Sequence, residues 1–320
     1  MRISTIIFPS IPFAAMACFY GDLLQLLIFL AITAASLIVF LLCGKLLYVK
    51  GAIGSSETSR SRRRFDAKLL HASTRHSAFR SYLGKEFKLL FRTPVYFTNC
   101  VLSAFIMPII LIVAVITSLD GVDLSAFLTP QLISSIPNLW AYVLIVSFLA
   151  GSFMGGINMI SATAISREGS NASFMKYIPV PLTTQIAAKT ACGIILSAIG
   201  TWMLIIPAHI VIEYPIYLDV IFVIGSFISI VMINLFSILI DMLRPKLVWE
   251  QETAAVKQNM NGFISMLMSF MLAAVLFGLL YVGWSHVVWI AVGILFVQII
   301  LTIFLCQTVK KANTRLLNKI

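Results

Sequence analysis

Residues 163–189 read Thr-Ala-Ile-Ser-Arg-Glu-Gly-Ser-Asn-Ala-Ser-Phe-Met-Lys-Tyr-Ile-Pro-Val-Pro-Leu-Thr-Thr-Gln-Ile-Ala-Ala-Lys, a polar interval between two long apolar runs. A charged side chain at mid-bilayer costs about 2.5–3.5 kcal/mol even on the lenient insertion scale. Arg167, Glu168 and Lys176 therefore place this interval in water on one face of a membrane. Inside it, Ser166 can cap a turn, Gly169 permits a tight reversal, and Asn171 to Ile178 can form a short helix that Pro179 and Pro181 terminate. The expected product is a stiff cytosolic knob between two spans.

Composition agrees with that reading. The 320 residues are 60% hydrophobic and 11% charged, with a mean hydropathy of +1.00, whereas about a quarter of a soluble domain is charged. The expected fold class is all-α, a polytopic membrane helical bundle. The formal charge of +11 does not call for nucleic acid, because Lys and Arg gather in segments that would flank spans on one side. Cys18, Cys43, Cys100, Cys192 and Cys306 lie in or beside apolar runs without metal or redox spacing, so neither disulfides nor metal sites are expected.

Working outward from the knob, Tyr96–Leu119, Leu139–Ala162, Thr190–Ile212, Leu218–Ile240, Gly262–Trp284 and Val287–Cys306 read as six spans. Ahead of them lie a further span, Leu23–Tyr48, and a shorter apolar run, Ile6–Tyr20, broken by Pro9 and Pro12. The expected organisation is an N-terminal membrane segment over 1–50, a basic linker over 51–78 and a six-span domain over 79–320. Eleven basic residues fall between Lys50 and Arg92. In the second half of that region Phe79, Tyr82, Leu83, Phe87 and Phe91 recur at helical steps with cations between them, the pattern of a helix in the membrane surface; a solvated basic loop is the plainer alternative. The connections expected outside, Asp120–Asn138, Glu213–Tyr217 and Ser285–His286, contain no Lys or Arg. With the basic linker inside, the C-terminus is cytosolic and the protein is multi-pass in a cell membrane.

Little here supports chemistry. No Gly-x4-Gly-Lys-Ser/Thr loop is present, so nucleotide hydrolysis would belong to another polypeptide. His71 and His76 lie in the basic linker, and His209 and His286 near the outer ends of spans; none is in a catalytic grouping. An ion-coupled carrier places ionisable groups at mid-membrane, and the cores of these spans, away from their ends, hold no Asp, Glu, Lys, Arg or His, which argues against that class. Gly151 and Gly155 have the small-xxx-small spacing of close helix packing. In the second inner connection Pro245 ends the incoming helix and Trp249 can anchor at headgroup level before Glu250, Glu252 and Lys257. On spacing alone, the charges in both inner connections could be topology determinants only.

Two words carry a resemblance. Ser166-Arg-Glu-Gly169 with Phe174-Met-Lys-Tyr-Ile-Pro-Val180 and Ala188-Lys189, followed by Arg244-Pro-Lys-Leu-Val-Trp-Glu250 with Ala255-Val-Lys-Gln-Asn259, resemble permease subunits of bacterial ABC exporters of the second type (ABC-2). Lys85 to Pro94 is similar to the element that precedes the first span of such modules. The resemblance covers about Phe79 to Cys306. It implies a bacterial plasma-membrane subunit that binds no cofactor itself, pairs with a second copy or a related permease, and docks cytosolic ABC ATPase subunits that carry ATP and Mg. Ser166, Arg167, Glu168, Gly169, Phe174, Lys176, Pro179 and Pro181 would form the coupling element. Arg244, Pro245, Lys246, Trp249, Glu250, Lys257 and Asn259 would line the inner mouth or brace that contact. The front of the chain is shorter than in such permeases, as though an N-terminal half lay elsewhere. Two other readings stay open: a non-transporting membrane scaffold that binds anionic lipid through Arg60–Arg64, and an intramembrane enzyme.

Overall fold

The computed structural model describes residues 10–48, 77–118, 135–211 and 214–317. The basic linker, with Arg60–Arg64, and most of the Asp120–Asn138 connection lie outside these residues. Every regular element among them is helical. The protein is an all-α polytopic bundle. Six helices are long and apolar enough to cross a membrane: Leu23–Leu46, Leu139–Thr163, Leu182–Trp202, Tyr217–Leu243, Met260–Tyr281 and Val287–Leu317. A bent pair, Ala78–Arg92 with Pro94–Ile110, makes up to seven.

The chain divides into two compact units, one of Met1–Arg75 with Ala114–Val122 and one of His76–Val113 with Asp123–Ile320. In the first, α1 (Ile11–Tyr20) and α2 (Leu23–Cys43) meet at Gly21 and Asp22. Gly21 takes the left-handed conformation that ends α1, with φ 64°, and the Asp22 carboxylate accepts from the Leu24 amide to start α2, a Gly stop followed by an Asp N-cap. At 10 residues α1 is about half the length needed to span. No residue of α1 or α2 is buried, as lipid-facing helices require.

The second unit holds the knob. Its first helix, α3 (Ala78–Arg92), starts at the Ser77 cap. Thr93 is extended, Pro94 occupies the first turn of the next helix, and the chain bends by 88°. The helix after the bend runs Pro94–Tyr96, widens to a π-helical stretch over Phe97–Val101 and continues as α4 (Leu102–Ser118). A perpendicular approach of this kind lays α3 across the end of the bundle, as its alternating cations and aromatics suggest. The helix nevertheless does more than cover a surface. Tyr82, Glu86 and Leu90, one turn apart, are all buried, and they face α6 (Leu182–Trp202). Leu83 and Phe87 are partly buried, whereas Phe79 and Phe91 are exposed.

The central pair is α5 (Leu139–Ile157) and α8 (Tyr217–Leu243); after the short α9 (Glu252–Val256), α10 (Met260–Val282) and α11 (Val287–Leu317) flank that pair. Small residues set how closely they approach. A Cβ on Gly151 would strike the Ser226 backbone, and one on Gly155 the Ile233 side chain; the small-residue spacing of α5 therefore serves packing within this chain. Polar side chains satisfy one another between the helices: Asn158 donates to Ser197 (2.6 Å), Ser161 to Asn234 (2.5 Å), Ser229 to Gln298 (2.8 Å), and the Ser237 and Ser265 hydroxyls pair at 2.6 Å.

Several boundaries differ from those expected. The span placed at Thr190–Ile212 begins at Leu182, directly after Pro181, and ends at Trp202; a separate helix, α7 (Ile205–Val211), follows. Pro207 has no amide proton to bond back to residue 203, so the break falls there. The last helix runs to Leu317 rather than Cys306. The earlier start of α6 also carries Lys189 inside a membrane-length helix. That overturns the expectation of spans without ionisable residues, and Asp241 near the end of α8 does so again.

Candidate functional site

The knob is a 3-10 segment, Ser166–Lys176, interrupted at Gly169 (φ 56°, ψ −135°). Its root lies within the protein, not in water. Ser166, Arg167, Gly169, Ala172 and Met175 are buried, and only 11% of the Glu168 side chain is exposed. Two hydrogen-bonded clusters hold the root.

Lys189 centres the first. Its ammonium has three donors, and three acceptors surround it: Glu86 Oε1 at 2.8 Å, Glu168 Oε1 at 2.5 Å and the Ala164 carbonyl at 3.1 Å. Lys85 also donates to Glu168, at 2.8 Å. Arg167 donates to the Ile160 carbonyl and the Thr163 hydroxyl, both at 2.7 Å, and places its other terminal nitrogen 4.0 Å from Glu86 Oε2. The Lys85 and Lys189 ammonium groups lie 4.8 and 5.8 Å from the Tyr82 ring centre, and the Arg167 guanidinium is 5.8 Å from that of Tyr96. Two carboxylates and three cations come from α3, the knob and α6. Burial alone would raise the Glu168 carboxyl, but the Lys189 and Lys85 charges outweigh it and hold it at about 2. Removing one partner from such a group strands the others, which costs about 3–5 kcal/mol.

Asp241, fully buried, centres the second cluster. It accepts from the Ile165 amide (2.6 Å), the Ser166 amide (3.1 Å), the Ser166 hydroxyl and the Asn261 amide group (2.9 Å). The Ser166 oxygen in turn accepts from the Lys246 amide at 2.9 Å. Trp249, a candidate headgroup-level anchor from the sequence, donates its indole N–H to the Ser166 carbonyl at 2.9 Å and lays its ring against Gly169. Glycine is required at that position twice over, by the positive φ and because a Cβ would meet the Trp249 ring at 2.7 Å. The second connection thus braces the first. Its own stiffness comes from Lys246, which donates to the Ala254 and Gln258 carbonyls, and from Asn259, which caps α10 by accepting from the Asn261 amide. Arg244, Glu250 and Lys257 remain exposed, Pro245 half-buried.

The descending leg is tied down too. Gln185 donates to the Met175 carbonyl (3.0 Å) and the Val180 carbonyl (2.9 Å). Between these fastenings Phe174, Lys176, Tyr177, Pro179 and Pro181 are exposed, Phe174 by 61% and Tyr177 by 80%. Together Phe174 and Tyr177 offer an apolar surface at the tip of a polar loop.

The residues put forward from sequence therefore fall into two groups. Ser166, Arg167, Glu168 and Gly169 build the root with Trp249 and Lys246, while Phe174, Lys176, Pro179 and Pro181 form the tip. Reading the sequence assigned no site role to Glu86, Gln185, Lys189, Asp241 or Asn261. Glu86 did leave a signal, one helical turn from both Tyr82 and Leu90 on the apolar stripe of α3. Among the described residues no cluster of His, Cys, Asp or Glu could hold a metal ion. No family model, curated protein or solved structure matches this chain.

Proposed function

We propose that the chain is the membrane-spanning permease subunit of an ATP-driven ABC exporter, and that the knob transmits motion from a separate ATPase. The observation that carries this reading is a small exposed tip, Phe174 with Lys176, Tyr177 and Pro179, on a root bonded to three helices, α3, α6 and α8. Force applied to such a tip reaches α3, α6 and α8 through the Lys189 and Asp241 clusters rather than being lost in loop motion. Arg167 and Glu168 serve as internal struts, and the partner meets the tip.

Charge placement supports a cytosolic position for the knob. Val309, Ala312 and Leu316 of α11 pack against Ala164, Ile165 and Met175, so Lys310, Lys311 and Arg315 share the end of the unit that carries Lys85, Lys176, Arg244 and Lys257. Between Arg92 and Arg167, and between Lys189 and Arg244, the sequence has no Lys or Arg. This is the asymmetry of the positive-inside rule.

The test is affinity purification of the tagged chain from its native membrane, followed by assay of ATP hydrolysis in the eluate. A P-loop ATPase should co-purify, and Phe174→Ser with Tyr177→Ser should release it while the chain itself remains monodisperse. An eluate free of ATPase, or one in which the double variant retains it fully, would contradict the assignment and favour a scaffold.

A further inference from the structure

At the end of the second unit away from the knob, a cavity of about 510 Å³ opens between α5, α7 and α8. Its walls are largely apolar, among them Val146, Ala150 and Phe222, and the side chains that bring polar groups to it are Tyr142, Tyr214 and Asp219. The volume lies within the range of small-molecule sites, which pair apolar walls with a few placed polar groups. Along α5 the lining reaches from Leu139 to Ala150, about 16 Å at the helical rise. The shape is that of a slot for a chain with a polar group at one end.

The polar end has a definite sign. Asp219 Oδ1 accepts from the Tyr214 hydroxyl at 2.8 Å, Asp219 Oδ2 lies 2.6 Å from His209 Nε2, and the His209 and Tyr214 rings stack at 4.4 Å. Two of the roughly four acceptor positions of a carboxylate are thereby used. The helices lining the cavity bring no Lys or Arg to it, since none occurs from Thr93 to Ser166 or from Thr190 to Leu243. A carboxylate at the mouth of an apolar slot, held by a phenol and an imidazole and, among the described residues of the lining helices, facing no Lys or Arg, complements a positive charge attached to an apolar body.

We propose that this cavity binds an amphiphile with a single apolar chain and a cationic amine head, the chain along α5 and the ammonium at Asp219. The site does not depend on the exporter reading, because it is built from side chains far along the helices from the knob and would bind whether or not an ATPase docks.

The test uses the full chain in phosphatidylcholine nanodiscs with a dodecylamine that carries a diazirine in mid-chain. Cross-linked residues are mapped by mass spectrometry, and unlabelled dodecylamine, dodecanol and dodecanoate compete at matched bilayer concentrations. Label should concentrate on Val146, Ala150 and Phe222, and dodecylamine should displace it about tenfold better than dodecanoate, the scale of a hydrogen bond to a charged partner. Asp219→Asn should abolish the preference for amine over acid while dodecanol still competes. Ala150→Trp, or Val146→Trp at a more exposed position should the first disturb packing, should remove the label. Equal competition by amine and acid in the unaltered chain, or label spread as strongly over the lipid-facing side of α11, would overturn the proposal and leave the groove as a place for ordinary bilayer lipid.

Discussion

The two ends of the second unit solve opposite problems. At the knob end, Glu86, Arg167, Glu168, Lys189 and Asp241 are taken out of water, and each is compensated by a charge or by several donors. At the far end the Asp219 carboxylate borders a largely apolar cavity, with His209 and Tyr214 beside it. Buried charge is a poor way to gain stability but a good way to fix geometry, since an ion pair deprived of one member is strongly penalised. The comparison assigns rigidity to the knob end and capacity for a guest to the other.

The sharpest way to break that contrast is Lys189→Met. It strands Glu86 and Glu168 and should cost about 3–5 kcal/mol, read as loss of monodisperse protein or a large fall in Tm after extraction into a neutral maltoside. Adding Glu86→Gln and Glu168→Gln should recover much of the loss, which a purely steric defect would not permit. Acid comes next. Because Glu168 is held at about 2 against an ordinary 4.5, its contribution is complete above about pH 4.5 and is lost as pH falls toward 2. Thermal unfolding in maltoside should show that loss, with an upper bound of about 3 kcal/mol, and Glu168→Gln should flatten the curve.

Asp241→Ala leaves the Ile165 and Ser166 amides without their acceptor and should cost about 2 kcal/mol. Its clearest readout is faster hydrogen exchange at those two amides. Gly169→Ala combines a left-handed φ with contact against Trp249 and should cost about 1–2 kcal/mol, visible as a shift in Trp249 fluorescence. The smallest effect belongs to the far end. Val146 is half exposed, and Val146→Trp should change stability by less than about 0.5 kcal/mol while closing the cavity to ligand.

Reading the sequence recovered the helical class because runs such as Leu23–Cys43 and Tyr217–Leu243 admit no other solution in a bilayer. It also found the knob and the second connection, since prolines 179, 181 and 245 punctuate them. The sequence did not disclose that the two connections are one object. Arg167, Glu168 and Lys189 looked like solvent-facing charges because the cost of burying an ion is visible in a sequence, whereas the partner that offsets it, Glu86, lies 103 residues from Lys189. Trp249 looked like a belt aromatic for the same reason, its acceptor being 83 residues away. Asp241 sits one turn before Pro245 with nothing in its neighbourhood to mark it; only the fold brings Ile165 and Ser166 to it.

Cysteine reactivity tests the central claim of a buried root and an exposed cytosolic tip. In a background with the five native cysteines replaced, Tyr177→Cys and Ala164→Cys are exposed to a membrane-impermeant maleimide in right-side-out and inverted vesicles. The account predicts that Tyr177→Cys reacts only in inverted vesicles and that Ala164→Cys, thirteen residues earlier, reacts in neither. Labelling of Tyr177→Cys from the outer face, or equal labelling of the two positions, would contradict it.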